Sequence, residues 1–227
     1  MNYYNFIDFK VSIIGNSNVG KTCIIKKFIE GNNFNLNEEP PTTTMGNDHF
    51  IYSTTIDGKA IRITFLDTIG TEKYRSIVSS SIRGSDGLLI VFDLTCEESF
   101  DNIIYWVNQA KEVIDIQNVE VYMIGNKSDL ERKVSEIRIE NFKKKNNLNV
   151  KFNYFETSAL TGKGIEECMN DLLNKLLKKY KNNETKNDNE TKNDNKNKTE
   201  NENNQRSKSI KLDKKINKKQ NKLNNCC

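Results

Sequence analysis

The stretch GNSNVGKT, residues 15–22, places two glycines, a lysine and a threonine in the spacing G-x-x-x-x-G-K-[ST]. It follows the apolar run FKVSII at 9–14 and precedes a helical pattern. In that context backbone N–H groups and a helix N-terminus converge on an anion, and Gly15 and Gly20 permit close approach of the backbone. Lys21 is then expected to reach terminal phosphates and Thr22 to offer a hydroxyl to Mg²⁺. The alternative is a glycine turn that binds nothing.

A second chemical pattern is FLDTIGT, residues 65–71, which ends an alternating apolar run. Asp67 and Gly70 stand three residues apart, and Thr71 follows them. Ligands of open α/β sheets bind at the carboxyl ends of the strands. An acid and a glycine at such an end therefore indicate contacts with a metal and a phosphate.

Two polar segments that follow predicted strands indicate which nucleotide base the site would bind. NKSD (126–129) comes after the strand at 119–125, and TSAL (157–160) comes after the next one. The carboxylate of Asp129 can accept hydrogen bonds from the N1–H and the 2-amino group of guanine together, whereas adenine offers no such donor pair. The N–H of Ala159 is placed to meet the guanine carbonyl. Each tetrapeptide is a weak signal alone, but their order and strand context favour guanine.

Strands and helices alternate along the chain, as they must to position these segments. Apolar runs at 9–14, 87–93, 119–126 and 150–157 predict strands, and Asp57-Gly58 predicts a hairpin over about 49–66. Helical patterns cover Lys21 to Glu30, Ser99 to Val113 and Ser135 to Asn146. A last helix has an apolar face formed by Ile165, Cys168, Met169, Leu172, Leu173, Leu176, Leu177 and Tyr180. The prediction is an α/β P-loop NTPase fold of three layers, α/β/α, with a six-stranded, mainly parallel sheet, one antiparallel edge strand and five helices.

Composition divides the 227-residue chain into two parts. A globular domain is predicted over 1–180, because from about residue 180 Asn, Lys, Glu and Asp replace almost all apolar side chains. The remainder, 181–227, is predicted to be a disordered tail that ends in Cys226 and Cys227. It carries 13 Lys and Arg against 7 Asp and Glu, which favours an anionic surface. It has no aromatic residues for base stacking, so we expect no nucleic-acid partner. No run has the length of a membrane span and no signal-peptide pattern is present, so synthesis in the cytosol is expected.

With these motifs the chain resembles the Ras-like small GTPases, and the Rab branch most closely. The resemblance covers about residues 8–180 and the cysteine end. Its marks are GNSNVGKT, TTTMG, LDTIGTEKYRSIVSSSIRGSDGLLIVFDLTCEESF, NKSD and ETSA. It implies a switch that binds GTP or GDP with Mg²⁺ and hydrolyses GTP by in-line attack of water on the γ-phosphoryl group.

The resemblance also implies residue roles. Thr44 would bind Mg²⁺ and the γ-phosphate, with Thr22 and Asp67 as further metal residues. The segment before Thr44 is about four residues longer than in the family, so Thr42 and Thr43 stay open as alternatives. The implied catalytic residues are Lys21, Thr44, Gly70 and Thr71. The implied nucleotide-binding residues are Gly15, Asn16, Ser17, Asn18, Val19, Gly20, Lys21, Thr22, Cys23, Thr44, Asp67, Gly70, Asn126, Lys127, Asp129, Ser158, Ala159 and Leu160.

Partners follow from the same resemblance. Cys226 and Cys227 look like a double geranylgeranylation site, and two lipid chains, or one chain with a basic patch, hold a protein at a membrane. The alternative is a solubilising tail with chance cysteines. The implied location is the cytoplasmic face of an intracellular or plasma membrane, cycling with the cytosol. The implied protein partners are an exchange factor, a GTPase-activating protein (GAP), a GDP-dissociation inhibitor and effectors.

Three departures from the family affect the expected activity. Thr71 stands where the family has the glutamine that orients the attacking water, and Ile69 stands where it has alanine. The positions of the family's aromatic effector triad hold His49, Leu66 and Ser81, and His49 is either a recognition residue or a solvated strand residue. We therefore expect slow unaided hydrolysis by a switch that regulates vesicle traffic. The alternative function is a non-hydrolysing, GTP-bound membrane scaffold.

Overall fold

The computed structural model describes residues 5–35, 48–68, 75–145 and 148–183. Its strands are β1 (Ile7–Ile14), β2 (Asp48–Ile56), β3 (Lys59–Asp67), β4 (Gly87–Asp93), β5 (Glu120–Asn126) and β6 (Asn153–Glu156). Its helices are α1 (Lys21–Glu30), α2 (Arg75–Ile82), α3 (Glu97–Asp101), α4 (Ile103–Lys111), α5 (Glu136–Lys145) and α6 (165–183).

One six-stranded sheet has the order β2-β3-β1-β4-β5-β6. All neighbours are parallel except β2 and β3, which pair from Asp48 with Asp67 to Ile56 with Lys59. Their connection has positive φ at both Asp57 (51°) and Gly58 (75°), as a two-residue type I′ turn requires. The predicted hairpin and its antiparallel edge strand are therefore confirmed.

β4 is buried along its whole length, which shows that both faces of the sheet are covered there. On one face, Leu88, Ile90 and Phe92 join a core cluster with residues of α2, α4 and α5. On the other, the ring of Phe28 in α1 lies 6.0 Å from that of Phe65 in β3. A Cβ on Gly87 would lie 3.1 Å from Leu172 of α6, so α6 packs closely on that face too. The three-layer α/β/α prediction is confirmed.

The helix predicted over 99–113 is present but divided. It begins at Glu97, where the Ser99 hydroxyl donates to the Cys96 carbonyl (2.7 Å) and accepts from the Asp93 N–H (2.9 Å). Asn102, with ψ of −4°, separates α3 from α4, although its N–H still bonds to the Glu98 carbonyl at 3.0 Å. With this pair taken as one helical region, the described residues contain the five helices predicted.

The last strand is shorter than predicted. Pairing with β5 covers only Asn153–Glu156, whereas the apolar pattern indicated 150–157. Asn149 has a positive φ of 51°, and Val150 packs in the core cluster beside α5. Burial in the core produced the apolar pattern here without strand pairing.

Packing divides the chain into two units, Met1–Leu176 and Leu177–Cys227. In the first, the predicted apolar face of α6 is buried from Ile165 to Leu176. In the second, the described residues are 177–183, the end of α6. The predicted boundary near 180 stays a prediction, and 184–227 lie outside the described residues. Within the described ranges, the helices are too short or too polar to cross a bilayer.

Candidate functional site

The sequence-predicted segments meet at one edge of the sheet. β1, β3, β4, β5 and β6 are parallel, so their carboxyl ends lie together. β1 lies between β3 and β4, which the chain reaches in opposite directions across the sheet. The loop that follows β1 thus opens at a topological switch point, the usual ligand position in such sheets.

The loop after β1 requires its two glycines. Gly15 has φ of 142°, and a Cβ there would lie 2.1 Å from the Val91 carbonyl oxygen. Gly20 has φ of 93°, and a Cβ there would lie 2.4 Å from Nδ2 of Asn126. At the tip, Ser17 and Asn18 are exposed while Val19 is buried. The loop therefore lies against the neighbouring strand ends and presents its tip outwards.

The Lys21 ammonium is held by the loop itself. Its Nζ donates to the carbonyl oxygens of Gly15 (3.0 Å) and Asn16 (2.9 Å). An ammonium has three donors, so the third is left for a ligand in the loop. Burial lowers the pKa of Lys21 to about 8, while the charge of Asp67 acts in the opposite direction. A bound phosphate would favour the charged form further.

Thr22 and Asp67 come together as the predicted metal pair. The Thr22 hydroxyl donates to Oδ2 of Asp67, and Asp67 is fully buried at the end of β3. The next residue, Thr68, donates its hydroxyl to the Ile13 carbonyl at 2.8 Å and fixes this strand end to β1. A hydroxyl and a carboxylate are oxygen ligands that suit Mg²⁺, which keeps several waters and substrate phosphates in its shell. The donor set therefore fits Mg²⁺, even though the described residues contain no cluster of three or more His, Cys, Asp or Glu able to hold a metal.

Asn126 joins the loop after β1, residues 15–20, here called the phosphate loop, to the loop after β6. Its Nδ2 donates to the Val19 carbonyl at 2.8 Å, and its Oδ1 accepts from the Ala159 N–H and the Thr157 hydroxyl, both at 3.2 Å. The side chain is 1% exposed. Its Oδ1 and one of its two Nδ2 hydrogens thus bond to protein groups, and Asn126 acts as a brace between the two loops.

Asp129 is exposed and oriented by its neighbours. The Ser158 hydroxyl donates to Asp129 Oδ1 at 2.5 Å and accepts from the Thr161 N–H at 3.1 Å. Behind this pair, the Tyr154 hydroxyl donates to Glu156 Oε1 at 2.7 Å, and Arg132 pairs with the other oxygen of Glu156. An exposed carboxylate held in one orientation suits recognition of a donor pair on a base.

Two contacts at this edge were missed by sequence reasoning. The Lys127 ammonium pairs with Asp93 Oδ2 at 2.6 Å, while Asp93 Oδ1 accepts from Thr95 N–H and hydroxyl at 2.8 and 2.7 Å. The indole N–H of Trp106 donates to Asn16 Oδ1 at 2.8 Å. Asp93 could have been found, because it ends a predicted strand next to the strand that leads to NKSD. Trp106 gave no such signal.

The structure brings together most, but not all, of the predicted residues. Residues 15–23, Asp67, Asn126, Lys127, Asp129 and 158–160 surround the same sheet edge, with Cys23 buried in α1. Thr44, Gly70, Thr71, Cys226 and Cys227 lie outside the described residues, as do Thr42, Thr43 and Ile69. Among the effector-triad positions, His49 is exposed, but Leu66 and Ser81 are buried.

A glycine-rich loop at the switch point, an adjoining threonine–aspartate pair and an oriented, exposed carboxylate are the arrangement expected of a P-loop GTPase. The Ras family profile matches residues 10–178. The chain therefore belongs to the Ras family, as a divergent Rab-like small GTPase.

Its similarity to individual relatives is moderate and extends over most of each chain. Human Ras-related protein Rab-30 is 33% identical over 190 residues, which are 83% of this chain and 89% of that protein. Ras-related protein Rab-13 from Mesocricetus auratus is 37% identical over 171 residues, 75% of this chain and 81% of that protein. Ras-related protein Rab-4B from Rattus norvegicus is 34% identical over 179 residues, 76% and 79% of the two chains.

Proposed function

We propose that this chain is a Rab-like guanine-nucleotide switch of membrane traffic whose unaided GTP hydrolysis is slow. The observation that carries the nucleotide part is the Asn126 brace. It links Val19 of the phosphate loop to Ala159 of the loop after β6 through bonds of 2.8 and 3.2 Å. The phosphate-binding and base-binding elements are thereby held as one site, which suits a ligand with both parts.

At the phosphates, each residue has a separate task. Lys21, anchored on two carbonyls, presents its positive charge to the terminal phosphates. The N–H groups of the loop point at the same negative charge. Thr22 and Asp67 would hold Mg²⁺, and the ion would supply positive charge that offsets the negative charge of the phosphates. By the family resemblance, Thr44 and the Gly70 N–H complete the γ-phosphate contacts. Their order in the GTP state and release after hydrolysis would make the switch.

At the base, Asp129 selects guanine. Its carboxylate accepts from N1–H and the 2-amino group, and Ser158 fixes its orientation at 2.5 Å. The Ala159 N–H, which was expected to meet the guanine carbonyl, donates to Asn126 Oδ1 at 3.2 Å, while Lys127 is held over the β4 end by Asp93 at 2.6 Å. A site built to receive two donors rejects bases that lack them, because its own acceptor would be buried unpaired.

The membrane part of the proposal rests on residues beyond the described chain. Cys226 and Cys227 are proposed to carry geranylgeranyl groups, assisted by the basic segment 206–222. Exchange factor, GAP, GDP-dissociation inhibitor and effectors are proposed from the resemblance. Salt-sensitive binding of the full chain to anionic vesicles, with no binding to RNA, is the expected result.

Single-turnover hydrolysis tests the turnover part. Thr71→Gln supplies the amide that orients water, so hydrolysis should accelerate by on the order of tenfold, because the attacking water gains a near-attack position. Thr71→Ala, which removes the hydroxyl without adding an amide, is the matched control and should stay as slow as the parent. A Thr71→Gln rate equal to that of the parent would refute the assigned cause.

GAP-stimulated phosphate release separates the switch from the scaffold alternative. Family GAPs can supply both an arginine and a glutamine, so a switch should release phosphate when the matching GAP is added. Persistent GTP retention with every GAP that binds the chain would instead favour the non-hydrolysing scaffold.

A further inference from the structure

The only tryptophan of the chain, Trp106, contacts the phosphate loop from outside the motifs. It lies in α4, 90 positions from Asn16 in sequence, and its indole N–H donates to Asn16 Oδ1 at 2.8 Å. Trp106 is 3% exposed, and its neighbours Ile103, Val107 and Ala110 belong to the core cluster under β4. The indole N–H of Trp106 is therefore carried by a helix that is tightly packed in the core and has little room to move.

Asn16 is held from two sides. Its side chain accepts from Trp106, while its backbone carbonyl accepts from the Lys21 ammonium at 2.9 Å. The same ammonium is also bound to the Gly15 carbonyl at 3.0 Å. Rotation of the Asn16 peptide would therefore disturb one of the two carbonyl anchors of Lys21.

We propose that Trp106 is a positioning residue for the phosphate loop, acting through Asn16 on Lys21 and so on the retention of the nucleotide phosphates. The proposal rests on the guanine-nucleotide binding proposed above and adds a contribution from α4 to it. With the indole N–H removed, the Asn16 side chain loses this bond while its carbonyl keeps the one to Lys21. The Asn16 peptide can then turn more easily, and Lys21 is less well placed to meet the terminal phosphates. A single neutral hydrogen bond contributes modestly, so GDP release should become about two- to twelve-fold faster.

A double-mutant cycle on GDP release tests this coupling. Trp106→Phe keeps an aromatic ring without the N–H, and Asn16→Ala removes the acceptor. Each should accelerate release of a fluorescent GDP, and the double variant should be no faster than the faster single variant. Release rates that multiply in the double variant would overturn the proposal, as would an unchanged rate in Trp106→Phe.

A matched control distinguishes positioning from simple loss of packing. Val107→Ala leaves a cavity in the core beside the same helix and leaves the bond between Trp106 and Asn16 in place. It should therefore lower the melting temperature while GDP is released at the parental rate. If Val107→Ala releases GDP as fast as Trp106→Phe, the role of Trp106 is only structural. Should Trp106→Phe fail to fold, replacement of the tryptophan by benzothienylalanine removes the N–H and keeps the bicyclic shape at this one position.

The indole N–H also gives a direct signature. The folded, GDP-bound parent should show one indole resonance in a ¹⁵N–¹H spectrum, and Asn16→Ala should move it upfield and speed its exchange with solvent. An unmoved resonance would overturn the proposal. Failure of the parent to bind any guanine nucleotide would refute the proposed function, whereas normal binding with no coupling would refute this inference alone.

Discussion

Replacing Asn126 by alanine tests the brace that unites the site. The change leaves the Val19 carbonyl and the Ala159 N–H without the amide that bonds them at 2.8 and 3.2 Å. Each buried backbone group left without a partner costs about 1–3 kcal/mol, so the pair costs about 2–6 kcal/mol. Water admitted into the space of the amide keeps the loss in the lower part of that range. If nucleotide binding requires both loops in their braced positions, as proposed, a loss of about 2–4 kcal/mol corresponds to about 30- to 1000-fold weaker nucleotide binding.

The assay is the dissociation rate and affinity of fluorescent GDP and GTP, with guanine, adenine and xanthine nucleotides compared. Asn126→Ala should weaken all guanine nucleotides together without changing the order of base preference, because the role proposed for its amide is to join the two loops. Thr157→Val is the matched control. It removes only one 3.2 Å donor to Asn126 Oδ1, so its effect should stay below about tenfold.

Two results would refute the reasoning. Parental GDP affinity in Asn126→Ala would show that the two loops are held together by other contacts. A change in base preference would show that Asn126 reads the guanine itself. Melting temperatures measured with and without nucleotide separate loss of folding from loss of binding, because a ligand stabilises only the state that binds it.

The remaining predictions concern the base and the pH response. Asp129→Asn replaces an acceptor by a donor, so the base preference should move from guanine towards xanthine nucleotides, whose 2-oxo group accepts a hydrogen bond. Competition binding measures this preference. A retained preference for guanine would contradict the role of Asp129. Burial, with the charge of Asp171 adding to it, raises the pKa of the Cys168 thiol from 9 to about 12. The folded state therefore holds this proton more tightly than the unfolded state, and the stability it contributes is present below pH 9 and is lost as pH rises. Between pH 9 and 11 the loss should be about 2–3 kcal/mol, and Cys168→Ala should show a shallower decline in denaturant melts over that range.

Sequence patterns predicted the features that depend on neighbours in the chain. Asp57-Gly58 specified the hairpin because both positions adopt positive φ, at 51° and 75°, which this residue pair tolerates. The phosphate loop was predictable because a single short segment supplies its glycines, lysine and hydroxyl. The helical face of α6 was predictable for the same local reason, since its period of 3.6 residues is written in consecutive positions.

What sequence could not predict depends on tertiary contacts. Ser81 occupies a position of the family's effector triad, yet it is buried; its carbonyl accepts the Ser12 hydroxyl at 2.8 Å, and Ser12 also shares a 2.7 Å bond with Ser85. This buried hydroxyl network joins the end of α2 to β1, and only the fold brings its members together. Asn126 was expected beside guanine, and it lies at the sheet edge where the other predicted site residues meet, but the sequence did not show which of its atoms bond to the protein.

The bracing contacts have a common property that divides the site into two functional parts. Asn126 to Val19, Lys127 to Asp93 and Trp106 to Asn16 all join elements around the ends of β1, β4 and β5. They fix the groups proposed to hold the nucleotide, and groups that are already fixed lower the ordering cost of binding. The residue proposed to limit hydrolysis, Thr71, lies in a different segment. Substitutions in the braces should therefore change nucleotide retention, whereas substitutions at Thr71 should change turnover, and the two effects should add in a combined variant.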